Sequence, residues 1–137
     1  MNQTVMPRTG VDYDSYVLSD ISDPQLPDYK VYLFVNAFDL TEQQRVTIRY
    51  RVRRAGKTAV WVLAPGYYRG DSGSVDNVAD LTGIKLRESY PVAEGDYARI
   101  FSVVDPESLG STKDGWSNVY FPEPPTSAQL REAFRDA

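Results

Sequence analysis

Two unbroken apolar runs constrain the chain most: VYLFV at residues 31–35 and TAVWVLA at residues 58–64. A strand with one face in water alternates apolar and polar residues, whereas a continuous run fits a strand covered on both faces, as in parallel sheets. Between the runs, Thr41 stands three residues before Gln44. That spacing fits a capping box, in which the hydroxyl accepts from a free backbone N–H and the Gln side chain reaches back. It predicts a helix over 42–55, with Gln44, Ile48, Val52 and Ala55 along one face and Gly56 as its left-handed stop. Strand, helix and strand in this order make a βαβ unit, with the two strands as parallel neighbours in the middle of one sheet.

The remaining patterns are weaker. Residues 13–18 (YDSYVL) alternate and predict a short strand, and 19–28 form a loop punctuated by Pro24 and Pro27. Residues 65–73 (PGYYRGDSG) are a loop, and Ser74 caps a short helix over 75–81 that ends near Gly83. Further strands are predicted over 84–90, 98–104 and 116–121, with a polar surface loop over 106–115. After Pro124 and Pro125, Ser127 is placed to cap a last helix whose apolar face is Leu130, Ala133 and Phe134. The fold class is α/β: a mostly parallel sheet with helices on both faces. The 137 residues make one domain. A doubly wound sheet has further strands before such a first strand and after such a last helix, so the domain is expected to be incomplete at both ends.

Composition excludes whole classes of chemistry. With no cysteine and no histidine, thiolate nucleophiles, Ser-His-Asp and Cys-His catalysis and the usual zinc ligand sets are ruled out. No catalytic residue, metal or cofactor is expected. The net charge is −4 and the 15 basic residues are scattered, without the basic stripe of a nucleic-acid binder. Arg49, Arg51, Arg53 and Arg54 are the densest basic stretch; on a helix they spread over several faces and read as solvated surface. No apolar run nears the roughly 20 residues that span a membrane. Residues 1–10 lack the apolar core of a signal peptide, so the chain as written is expected to stay in the cytoplasm, where it is made.

Several ordered motifs carry a family resemblance: YKVYLFVNAFDLTEQQRVTI, then RRAGKTAVWVLAPGYY, then VADLTGIKL, and late in the chain GWSNVYFPEPP before a helix. Together they resemble the β-galactosidase trimerisation domain, over roughly residues 7–137. The resemblance implies a flavodoxin-like fold similar to class I glutamine amidotransferases, in which a cysteine at a sharp turn after a strand works with a histidine. The corresponding turn would lie in Ala64-Pro65-Gly66-Tyr67-Tyr68, where neither partner is present. It also implies a non-catalytic assembly or accessory role in a glycoside hydrolase, bordering the mouth of its active site. Implied partners are further copies of the chain and a separate catalytic barrel, and no catalytic residue carries over.

The loops after the two buried strands hold the candidate ligand residues. Asn36 follows the first; Tyr67, Tyr68, Arg69 and Asp71 follow the second. Parallel neighbours deliver both loops to the carboxyl edge, where ligands bind in open α/β sheets. An aromatic face with Asn, Asp and Arg suits a saccharide. The plainer and favoured alternative is that Asn36 ties down its loop and the tyrosines pack on a neighbouring domain. Gly66, Gly70 and Gly73 could cradle a phosphate of a nucleotide, but the spacing is not GxGxxG and no P-loop lysine follows. Asp76 with Asp80, and Glu94 with Asp96, could be read as glycosidase carboxylate pairs; solvated acids are the favoured alternative.

Overall fold

The βαβ unit forms with its predicted pairing. The structure is a computed structural model that describes residues 5–90, 99–135 and 137. In chain order its elements are β1 (Val31–Phe34), α1 (Glu42–Val52), β2 (Thr58–Val62), β3 (Tyr68–Arg69), β4 (Ser72–Gly73), α2 (Val75–Thr82), β5 (Leu86–Ser89), β6 (Ile100–Val103), β7 (Gly110–Ser111), β8 (Ser117–Phe121) and α3 (Ser127–Arg135). Single 3-10 turns lie at Met6–Thr9, Leu18–Ser22 and Pro106–Ser108. The fold is α/β, with a mixed, mostly parallel four-stranded sheet in the order β1-β2-β8-β7.

β1 pairs with β2 in parallel, Val31 opposite Thr58 through Phe34 opposite Trp61, and β2 pairs with β8 in parallel. β2 is the central strand and every one of its residues is buried. β1, expected in the middle, is instead the outer strand of the sheet. The strands predicted over 84–90 and 98–104 do form within those spans, as β5 and β6. Among the described residues they pair only with each other, antiparallel, in a separate two-stranded sheet. Residues 13–18 belong to no strand. Their alternation supplies strand propensity, but the ladder needs a partner within hydrogen-bonding reach.

Side chains alternate between two cores. Tyr32, Phe34, Ala59 and Trp61 meet Ile48 and Val52 of α1 and Val78 and Leu81 of α2. Val31, Leu33, Val60 and Val119 meet Leu130 and Phe134 of α3, together with Met6. Helices therefore cover both faces. Phe34 and Trp61 stack with centroids 4.7 Å apart. The indole Nε1 of Trp61 donates to Asn118 Oδ1 at 2.8 Å, and Asn118 Nδ2 donates to the Thr82 carbonyl at 3.0 Å. This buried chain of bonds ties β2, β8 and α2 at little cost, since each polar atom finds a partner.

The caps act locally. Gln44 N–H donates to Thr41 Oγ1 at 3.2 Å and Thr41 N–H donates to Gln44 Oε1 at 2.9 Å. Ser74 caps α2, and Gly83 ends it at φ +78°. In α3 the capping residue is Thr126 rather than Ser127, again with a reciprocal Gln partner, Gln129. α1 stops at Val52, short of Ala55, because Arg53 has already left helical geometry at ψ 58° and Gly56 takes its positive φ in the following turn.

Ile48 has no exposed surface. Ile48→Ala is expected to cost about 2–5 kcal/mol, read as a lower urea midpoint. Tyr120 gives a second test. Burial pushes its phenol up to about 12, and its hydroxyl finds no partner among the described residues. Between roughly pH 10 and 12 the unfolded chain loses a proton that the native state keeps, so this group makes stability fall as pH rises. Tyr120→Phe removes both the unpaired hydroxyl and the titration. It should be neutral or stabilising at pH 7 and should show a shallower alkaline loss in melts taken across that window.

Candidate functional site

The loops after β1 and β2 are joined by their main chains. Gly66 N–H donates to the Ala37 carbonyl at 2.5 Å and Tyr68 N–H to the Phe38 carbonyl at 2.9 Å, with a parallel bridge between Asp39 and Tyr68. The carboxyl edge is thus assembled as parallel strands require. The side chains sort differently.

Tyr67 is a core residue. Its ring meets Tyr68 and Phe101 edge-on, and the Arg99 guanidinium lies 5.4 Å from its centroid. Its hydroxyl donates to Glu88 Oε2 at 2.8 Å. Burial first, and then Glu88, hold its phenol above the ordinary tyrosine range. Arg69 is clamped on Glu42 through two bonds, from Nε and Nη2. This pairing lowers the Glu42 carboxyl below its usual range. Tyr68 and Asp71 are exposed, at and beside a two-residue turn that opens on Gly70 at φ +61°. Asn36 is exposed and lines a separate cavity. Tyr67, Tyr68 and Arg69 are therefore neighbours, while Asn36 is not aimed at the same space.

Of the proposed carboxylate pairs, Asp80 is an ion-pair partner of Arg49, Arg69 and, at 3.8 Å, Arg45. Asp76 sits in the first turn of α2, where a negative charge favours the helix. Glu94 and Asp96 lie outside the described residues. The basic stretch on and beyond α1 is not simply solvated. Arg51 donates to the Leu26 carbonyl at 3.1 Å and to that of Asp23 at 2.6 Å, and Arg53 lies 5.2 Å from the Trp116 ring centroid.

The residue that organises this end of the molecule is Arg45, which is fully buried. Its guanidinium donates to the carbonyls of Gly66 and Asn77. Burial lowers its pKa from the ordinary arginine value, and the like charge of Arg69 lowers it further. The turn it holds is strained: Leu63, not a glycine, sits at φ +65° just before Ala64-Pro65-Gly66. Such a backbone costs an L-residue roughly 1–2 kcal/mol. The signal for Arg45 is its spacing, three before Ile48 and seven before Val52, on the same helical face. Leu63 has no comparable signal in the sequence.

A further feature without a signal in the sequence is a cavity of about 680 Å³ along the outer edge of β1. Its walls are residues 10–18, the strand itself and the end of α3. Tyr29 O–H donates to Asp14 Oδ2 at 2.5 Å near this cavity, and the Tyr16 and Tyr29 hydroxyls are 2.7 Å apart. Comparison with protein-family models, with characterised proteins and with solved structures found no match.

Gly66 gives the test of the Arg45 anchor. A Cβ there would lie 2.9 Å from Arg45 Nη2 and 2.9 Å from Leu81 Cδ2, at φ +67°. Gly83, at φ +78°, has nothing within 4 Å of such an atom. Gly66→Ala should therefore cost about 1–3 kcal/mol more than Gly83→Ala, the usual range for overpacking. Equal losses in urea melts would show that the guanidinium tip is free to move aside.

Proposed function

We propose that the chain is a non-catalytic assembly domain of a glycoside hydrolase, related to β-galactosidases, that holds its parent in an oligomer. The observation that carries this reading is the segment 11–17 beside the outer edge of β1, which pairs with no further strand among the described residues; Val11, Tyr13, Tyr16 and Val17 are all exposed there. Exposed apolar side chains that a neighbour could cover are what an assembly surface offers. The resemblance of the βαβ motifs to the trimerisation domain points the same way. In this reading the mostly parallel sheet with helices on both faces is a flavodoxin-like, glutamine-amidotransferase-like scaffold. Its turn after β2 offers Ala64, Pro65 and Gly66, none of which supplies a nucleophile.

A second reading is favoured by the cavity alone. Its volume of about 680 Å³ lies within the range that takes a small ligand, about 300–1,000 Å³, and Asn36 with the tyrosines would suit a saccharide. Calorimetric titration with galactosides separates the two: saturable heat that Asn36→Ala abolishes would favour binding over assembly.

The assembly reading predicts that the purified chain self-associates in light scattering across a dilution series and does not turn over a chromogenic galactoside. A monomer at every concentration, or turnover abolished by a point mutation in this chain, would overturn it.

A further inference from the structure

The turn Met6–Thr9 packs with α3 on one face of the sheet, and the turn Leu18–Ser22 packs with α1 on the other. Residues 10–17 therefore cross from face to face past the outer edge of β1, and the cavity lies between them and the strand. Both ends of the crossing are tied. Arg131 of α3 donates from Nε to the Thr9 carbonyl at 3.1 Å and from Nη2 to the Arg8 carbonyl at 2.7 Å. At the far end Val17 N–H donates to Asp20 Oδ2 at 3.3 Å, and Asp20 N–H donates to the Val17 carbonyl at 2.9 Å. Between the ties the chain belongs to no helix or strand. It begins at Gly10, at φ +73°, where an added Cβ would meet nothing within 4 Å. Such a segment can move without breaking a ladder.

Tyr29 reaches the middle of this crossing from the body of the fold. Its hydroxyl donates to Asp14 Oδ2 at 2.5 Å. A hydroxyl has one proton to give, so the Tyr16 hydroxyl, 2.7 Å away, donates to the Tyr29 oxygen. Asp14 first, and then Tyr16, hold the Tyr29 phenol above the ordinary tyrosine range. The Tyr16 and Tyr29 ring centroids lie 6.1 Å apart. Tyr29 is itself anchored from behind. Its N–H donates to the Tyr32 hydroxyl at 3.2 Å, and its carbonyl accepts from Lys57 Nζ at 2.6 Å. Its ring meets that of the buried Tyr32 edge-on, with centroids 6.0 Å apart.

We propose that residues 10–17 are a strap over the cavity, hinged at Gly10 and closed by Tyr29 as its latch. Unlatched, the strap swings away from β1 while the sheet and both cores stay folded, and the cavity opens. Two hydrogen bonds on an exposed face are enough to favour the closed strap and few enough to let it open. The inference does not depend on the assembly reading, because it concerns entry to the cavity and not what covers the surface.

The test uses the absence of cysteine, which lets one introduced thiol report entry to the cavity. Val31→Cys places it on the β1 wall, at a half-buried position. Its labelling by an aromatic disulfide reagent is timed in this background alone and with Tyr29→Phe or Asp14→Ala added. Each addition should speed labelling about tenfold or more, because the rate follows the population of the open strap. Asp14→Asn keeps an acceptor for the Tyr29 hydroxyl and should stay closer to the background rate than Asp14→Ala. Val60→Cys, on β2 with no exposed surface, reports opening of the whole molecule. The Val31→Cys thiol should label faster than the Val60→Cys thiol. Its rate should also respond little to urea below the melt, since a swinging strap exposes little new surface. Labelling at position 31 no faster than at position 60 would mean that only global unfolding opens the cavity, and would overturn the strap. A rate unchanged by both Tyr29→Phe and Asp14→Ala would overturn the latch and the proposal with it.

Discussion

The carboxyl end of the sheet depends on one buried guanidinium. Arg45 reaches from α1 to the carbonyls of Gly66 and Asn77, so it joins the helix, the turn after β2 and the second helix. A buried charge is costly unless it is paired and hydrogen-bonded. Here the main-chain carbonyls and the nearby Asp80 carboxylate supply that compensation, although the Nε of Arg45 remains without a partner among the described residues. The arrangement favours glycine at residue 66, because a Cβ there would crowd the guanidinium and Leu81. A strained leucine, a glycine without room and a buried arginine are thus one structure rather than three oddities.

Around this anchor the exposed ions form a belt. Glu42 and Arg49 of α1, Arg69 of β3 and Asp80 of α2 pair across three elements. Individual surface pairs contribute little, but a belt fixes how the small β3–β4 hairpin lies against the helices. It also consumes the charges that a ligand site at this edge would need. Arg69 is engaged by Glu42 and Tyr67 by Glu88, so two of the five candidates are already committed to partners within the chain.

What was legible in the sequence is what is encoded locally. The reciprocal cap of Thr41 and Gln44, the Ser74 cap and the Gly83 stop are each settled within a few residues, and α1 and α2 begin where those signals stand. The parallel pairing of β1 with β2 was legible because unbroken apolar runs flanking a helix admit few arrangements. Strand partners were not. Nothing in residues 84–90 or 98–104 says that they pair with each other and leave the main sheet, because alternation encodes a face, not a neighbour. Residues 13–18 show the same gap from the other side, having strand-like composition without a ladder. Arg45 was legible in principle, on the face shared with Ile48 and Val52, but arginine is so seldom fully buried that its type outweighed its position. The loops that hold the candidate ligand residues do meet through their main chains. Their side chains part: Asn36 is exposed and lines the cavity beside β1, whereas Tyr67 is buried in the core.

The complete burial of β2, paired on both sides and covered above and below, has a consequence in time rather than in energy. Its amide hydrogens can meet solvent only if a neighbouring strand detaches, and detachment of either neighbour opens a core. β2 should therefore exchange its hydrogens at the pace of whole-molecule unfolding, while residues 11–17, which no ladder holds, exchange through local fluctuation. The chain thus carries its slowest and fastest clocks on opposite sides of β1.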